Sequence, residues 1–158
     1  MNKAKLIIKS TIITLLMVMN SYAEDISITD AWINEAPPGV SILAAYATIN
    51  NLSDIDISLI EVNAESFEFV ELHESMMEDG MASMKQHKTI TIASKSMLSL
   101  EPGGFHLMLF NPKQRISAGD QIRLVFRFAD QEIITINANV KRSNQAGHDH
   151  HHHHHHHH

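Results

Sequence analysis

The 158-residue chain contains no cysteine. That absence excludes a disulfide framework, so the fold must rest on packing even in an oxidising compartment. It also removes thiolate chemistry of every kind. A blue-copper electron-transfer centre is ruled out on residue type, because it needs a Cys ligand. Basic residues are missing from a long stretch. Between Glu24 and Met84 there is no Lys or Arg, and they begin again at Lys85. The formal net charge is −6, which argues against nucleic acid as a partner. Most of the acidic residues suit a solvated surface. Glu71, Glu74, Glu78 and Asp79 lie close together in the chain, and also suit a local field that attracts cations.

Long apolar runs are lacking too. Residues 11–19, TIITLLMVM, fall well short of the ~20 residues that span a bilayer. They follow the basic start Lys3, Lys5 and Lys9 and precede the small-x-small site Ser21-Tyr22-Ala23. These are the three parts of a secretory signal over residues 1–23. The expectation is export to the periplasm, cleavage after Ala23 and no stable membrane insertion of the mature protein. Residues 148–158 form a His-rich tail. Its run His150–His158 reads as a purification tag, or as a natural metal-gathering tail lengthened, and is set aside from fold reasoning. Residues 24–147 remain, enough for one domain with a real core.

No segment of that domain shows a sustained helical period, and there is no internal repeat or linker. Strand-like segments recur instead, at 26–33, 43–50, 57–62, 67–73, 89–93, 97–101, 105–110, 121–128 and 132–140. Turn chemistry separates them, as in Pro102-Gly103-Gly104 and Ala118-Gly119-Asp120. Many short strands with frequent turns predict an all-β sandwich or barrel. Residues 74–88 fit a loop, a short hairpin about Asp79-Gly80 or a helical turn.

Within the domain, every His and every Met falls between residues 73 and 108: His73, His87 and His106, and Met76, Met77, Met81, Met84, Met97 and Met108. Thioether sulfur suits Cu(I), and imidazole suits copper in either oxidation state. Asp and Asn at the fixed short spacing of a Ca²⁺ loop are absent. On a strand at 105–110, His106 and Met108 project together while Phe105, Leu107 and Leu109 fill the core. His73 ends its strand near a rim, and Met84 lies past the Asp79-Gly80 turn. A His–Met pair from one strand, a His from another and a Met from a loop can close a four-coordinate site.

The spacing His73-x10-Met84-x21-His106-x-Met108 resembles the signature of the PCu(A)C family of periplasmic copper chaperones. So do residues 30–39 (DAWINEAPPG), 70–84 (VELHESMMEDGMASM), 100–110 (LEPGGFHLMLF) and 117–128 (SAGDQIRLVFRF), in the family's order. The resemblance covers roughly residues 25–141. It implies a cupredoxin-like Greek-key β-sandwich and a Cu(I) site made by His73, Met84, His106 and Met108. It implies no enzyme, but delivery of copper to the CuA domain of cytochrome c oxidase subunit II, alongside a Sco-type protein. Some members gather Cu(II) on a His- and Met-rich tail, an expectation that here falls on the His-rich residues 148–158. A copper buffer or resistance protein without a dedicated oxidase acceptor is the alternative. Met76, Met77 and Met81 are expected as loop contacts or a hydrophobic rim, with a secondary capture role as the other option. His87 is expected on the surface, Met97 in the core or along a strand, and Trp32 in the core.

Overall fold

The computed structural model describes residues 25–142, apart from residues 36 and 79. The expected signal segment and the His-rich tail lie outside the described residues. Ten strands follow one another: β1 (Ile26–Asn34), β2 (Ile42–Asn51), β3 (Ile57–Ala64), β4 (Phe69–Glu78), β5 (Met81–His87), β6 (Ile90–Ile92), β7 (Met97–Leu100), β8 (Phe105–Phe110), β9 (Gln121–Phe128) and β10 (Ile133–Lys141). Among the described residues there is no helix.

Alternation makes these strands. In β9, Ile122, Leu124, Phe126 and Phe128 are buried while Gln121, Arg123 and Arg127 are exposed. That is the two-residue period of a sheet with one face on a core. All ten strands join in one sheet, in the order β5-β4-β8-β7-β2-β1-β10-β9-β3-β6, with β8 also paired to β2. No helix covers the apolar face, so the sheet folds over and buries that face against itself. β1 couples the two halves. It runs antiparallel to β2, breaks register between Thr29 and Trp32, and then also pairs in parallel with β10.

Phe67, Phe126, Phe128, Leu107, Leu109 and Leu124 are fully buried. Each such side chain contributes roughly 1.5–3 kcal/mol of transfer free energy. Packing of this kind replaces the disulfides that the chain cannot form. Trp32 and Met97 both lie outside the core. Trp32 is half-buried on the outer face, with its ring 4.4 Å from that of Tyr46 and Lys141 Nζ 5.5 Å above it. Met97 lies on β7 but is exposed, because Leu98 and Leu100 take the inward positions.

Residues 74–88 form a hairpin, with β4 running on to Glu78 and β5 returning from Met81. His73 therefore lies in mid-strand rather than at a rim, and Met84 on a strand rather than in a loop. Gly80 enters the return with φ of 78°, a conformation that glycine adopts without steric penalty. β5 ends the strand order, so β4 is its one strand partner.

Candidate metal centre

The β4–β8 register places His73 opposite His106, Glu71 opposite Met108 and Leu72 opposite Leu107. Directly opposed residues share a face of the sheet. Leu72 and Leu107 point into the core. His73, His106, Glu71 and Met108 therefore project together from the outer face. The two imidazole rings lie 6.1 Å apart between centroids, tilted by 33°.

Among the described residues only two polar side chains are classed as buried, Asn51 at 1% and His106 at 6% exposure. Their hydrogen bonding differs. Asn51 Nδ2 donates to the carbonyls of Ile55, Ile92 and Ala93 at 2.8, 3.1 and 2.9 Å. Its Oδ1 accepts the Ser53 amide at 3.0 Å and the Ser53 hydroxyl at 2.7 Å. Asn51 is a saturated structural group. His106 is bonded at one nitrogen, Nδ1, which donates to the Gly104 carbonyl at 3.0 Å. A carbonyl can only accept, so in the neutral imidazole Nδ1 carries the proton and Nε2 keeps the lone pair.

His73 has the opposite tautomer. Its Nε2 lies 2.8 Å from Glu71 Oε2, and an ionised carboxylate can only accept. In the neutral imidazole the proton is then on Nε2, and Nδ1 holds the lone pair. That Nδ1 is buried without a hydrogen-bond partner, as are Asn34 Oδ1 and Ser83 Oγ among the described residues. A buried acceptor left unpaired costs about 1–3 kcal/mol, and a bound cation would remove that penalty. Each imidazole thus has one nitrogen anchored by the protein and one lone pair free, the arrangement usual for metal-ligating histidines.

Sulfur borders this pair on two sides. Met108 is half-buried, two residues beyond His106 on the same strand face. Met84 sits opposite Ser75, which is two residues beyond His73. Met84 therefore shares the outer face, but on the edge strand and 63% exposed. The four residues singled out by spacing thus share one face: two histidines ring to ring, one methionine beside them and one open to solvent. Among the described residues, no three His, Asp or Glu side chains gather as a metal-binding group. Thioether sulfur is a further donor type on this face, and it suits a soft cation.

Two further residues belong to the site. Glu71, weighed from sequence as a contributor to the local field, is bonded directly to His73. The spacing Glu-x-His on a strand, two residues on one face, was the signal for it. The Gly104 carbonyl holds His106 and also accepts the Ser75 amide at 3.1 Å. It ties the turn before β8 to the part of β4 that faces Met84. No residue type marks a backbone carbonyl, so sequence offered no signal for that contact. Gly103, at φ of 84°, lets this turn close.

The remaining donors are not among these four. His87 lies opposite Leu72, on the other face of the hairpin. It is half-buried rather than fully on the surface. Its Nε2 donates to Glu74 Oε2 at 2.8 Å, and its ring meets Phe105 edge-on at 5.3 Å. Met76, Met77 and Met81 are strand residues, not loop contacts.

The LpqE-like family, a family of lipoproteins by description, matches residues 26–140. The chain belongs to this family, which is the PCuAC-like family. It is 26% identical over 129 residues to Lxx21020 of Leifsonia xyli subsp. xyli, named as a lipoprotein. That match covers 81% of this chain and 76% of the relative. Two solved structures share its cupredoxin-like β fold. One is the copper-bound PCuAC domain from PmoF2, with a TM-score of 0.64 and 22% identity over 75% of this chain and 93% of that domain. The other is the solution structure of Cu(I)-DR1885 from Deinococcus radiodurans, with a TM-score of 0.60 and 28% identity over 72% of this chain and 76% of that one. The lipoprotein names are in line with an exported protein. Among the described residues no helix is long and apolar enough to cross a membrane.

Proposed function

We propose that this protein is an exported Cu(I)-binding metallochaperone of the periplasm, with the ion held by His73, Met84, His106 and Met108. The observation that carries this reading is the facing imidazole pair, in which each ring has one nitrogen anchored and one lone pair free. Cu(I) then binds Nδ1 of His73, Nε2 of His106 and the two thioethers. These four neutral donors leave the ion its +1 charge and favour Cu(I) over Cu(II), which prefers harder donors and tetragonal geometry. The Cu(I) form of DR1885 and the copper-bound PmoF2 domain support the choice of metal.

The role is binding and transfer without catalysis. Delivery goes to the CuA domain of cytochrome c oxidase subunit II, with a Sco-type protein as a second partner. Thioethers form no disulfides, so the site survives in an oxidising compartment. Neutral donors hold Cu(I) less tightly than thiolates, which drives stepwise exchange to a Cys-bearing acceptor. The exposure of Met84 favours this over a copper buffer, because an ion behind an open thioether can be reached by an incoming ligand.

The test is a Cu(I) competition titration on protein lacking His150–His158, whose removal leaves all ten strands in place. One tight site is expected, with a loss of more than about tenfold in each of His106→Ala and Met108→Ala. Unchanged affinity in both variants would sink the assignment. Transfer to an apo subunit II fragment separates chaperone from buffer, since copper that stays put at equilibrium rejects the delivery role.

A further inference from the structure

Three methionines of the hairpin take no part in the proposed four-ligand site, and the strand period sorts them. Met77 is opposite Ala82, one step toward the tip from the Ser75–Met84 pair. It therefore shares the outer face with His73 and Met84. Met76, opposite Ser83, and Met81, opposite Glu78, point to the other face. Met77 is 71% exposed, as solvent-open as Met84 beside it. Met77 and Met84 are diagonal neighbours across the β4–β5 ladder. Ser75 and Ala82 occupy the other two corners of that quadrilateral, and both are small. Nothing bulky stands between the two thioethers, and methionine is flexible enough for them to converge. On this face β4 and β5 carry Glu71, His73, Ser75, Met77, Ala82, Met84 and Gln86, with no Lys or Arg to repel a cation. Lys85 is opposite Glu74, on the far face.

We propose that Met77 is a further thioether donor, forming with Met84 an outer two-sulfur landing through which Cu(I) enters and leaves the His73–His106–Met108 site. The inference rests on the copper reading above and adds a route to it. Copper stays Cu(I) throughout. On entry, Cu–S bonds to Met77 and Met84 form as bonds to the incoming carrier break. The Cu–N bond to His73 Nδ1 then forms as the Met77 bond breaks, while Met84 holds on. Thioethers carry no proton, so this passage releases none.

The test uses the protein without His150–His158, with Cu(I) as the probe and a soft chelator as the acceptor. Met77→Leu is expected to leave equilibrium Cu(I) affinity close to wild type and to slow extraction by the chelator about tenfold, equivalent to ~1.4 kcal/mol. Met76→Leu and Met81→Leu, on the other face, are expected to leave the rate unchanged. In wild type carrying ¹³C-methyl methionine, with Cu(I) below one equivalent, the Met84 methyl signal is expected to shift and the Met77 methyl signal to broaden by exchange with passing Cu(I). That measurement needs no variant to fold. Wild-type extraction rates in Met77→Leu, equal slowing in Met81→Leu, or a Met77 methyl signal as sharp with Cu(I) as without it would overturn the proposal and leave the four-ligand site standing. A wild-type protein that takes up no Cu(I) overturns both.

Discussion

His73 and His106 face each other across the β4–β8 ladder with opposite tautomers, one anchored through Nε2 to Glu71 and the other through Nδ1 to Gly104. Their free nitrogens are therefore different atoms. A two-strand ladder brings the rings together, and the two anchors decide which lone pair each presents.

Removing an anchor while keeping the ligand is the first prediction. Glu71→Ala frees the His73 ring to rotate and exchange tautomers. A loss of about 10–100-fold in Cu(I) affinity is expected, with the unfolding midpoint little changed. Glu71→Gln keeps an acceptor and loses less. Competition titrations paired with urea unfolding measure both quantities.

Asn51→Ala should do the reverse. It deprives the carbonyls of Ile92 and Ala93 of a donor, at a residue bonded to neither histidine. A stability loss of about 1–3 kcal/mol is expected, with Cu(I) affinity unchanged. The two variants together separate the structural polar group from the anchor of the proposed ligand.

Gly80→Ala tests the hairpin. No atom would obstruct a Cβ there, so the penalty is conformational alone. Left-handed backbone costs an L-residue roughly 1–2 kcal/mol. β5 holds Met84 through β4 and has no other strand partner, so a frayed turn is expected to speed Cu(I) release. Chelator extraction kinetics check it.

Tyr46 sets a limit at alkaline pH. Burial raises its phenol above the ordinary value of about 10. The folded state thus keeps this proton when the unfolded chain has begun to lose it. Its contribution to stability is intact below about pH 10 and falls as pH rises through the folded value. Phenolate absorbance followed beside chemical unfolding is expected to show ionisation delayed until above the value for free tyrosine.

Much of the fold was legible because a period of two and turn chemistry are local properties. β8 and β9 stand at 105–110 and 121–128, where alternation predicted them. The hairpin at 74–88 was ambiguous because β5 lies at the sheet edge, exposed along most of its length. No apolar stripe marked a core face. Trp32 was misplaced for a related reason, since a large aromatic ring finds cover on an outer face against Tyr46 and Lys141 as well as in a core.

By itself the sequence determined which donor types the proposed site can draw on. With no cysteine and all its domain histidines and methionines in one window, it left imidazole and thioether as the donors for a soft cation. The spacing of His106 and Met108 put both on one side of a strand, because the pleat has a period of two. Tertiary structure decided what depends on register between strands far apart in the chain. His73 faces His106, Glu71 and Gly104 fix opposite tautomers, and Met77 but not Met76 or Met81 shares the site face. A shift of one residue in the β4–β8 or β4–β5 register would send these donors to opposite sides of the sheet.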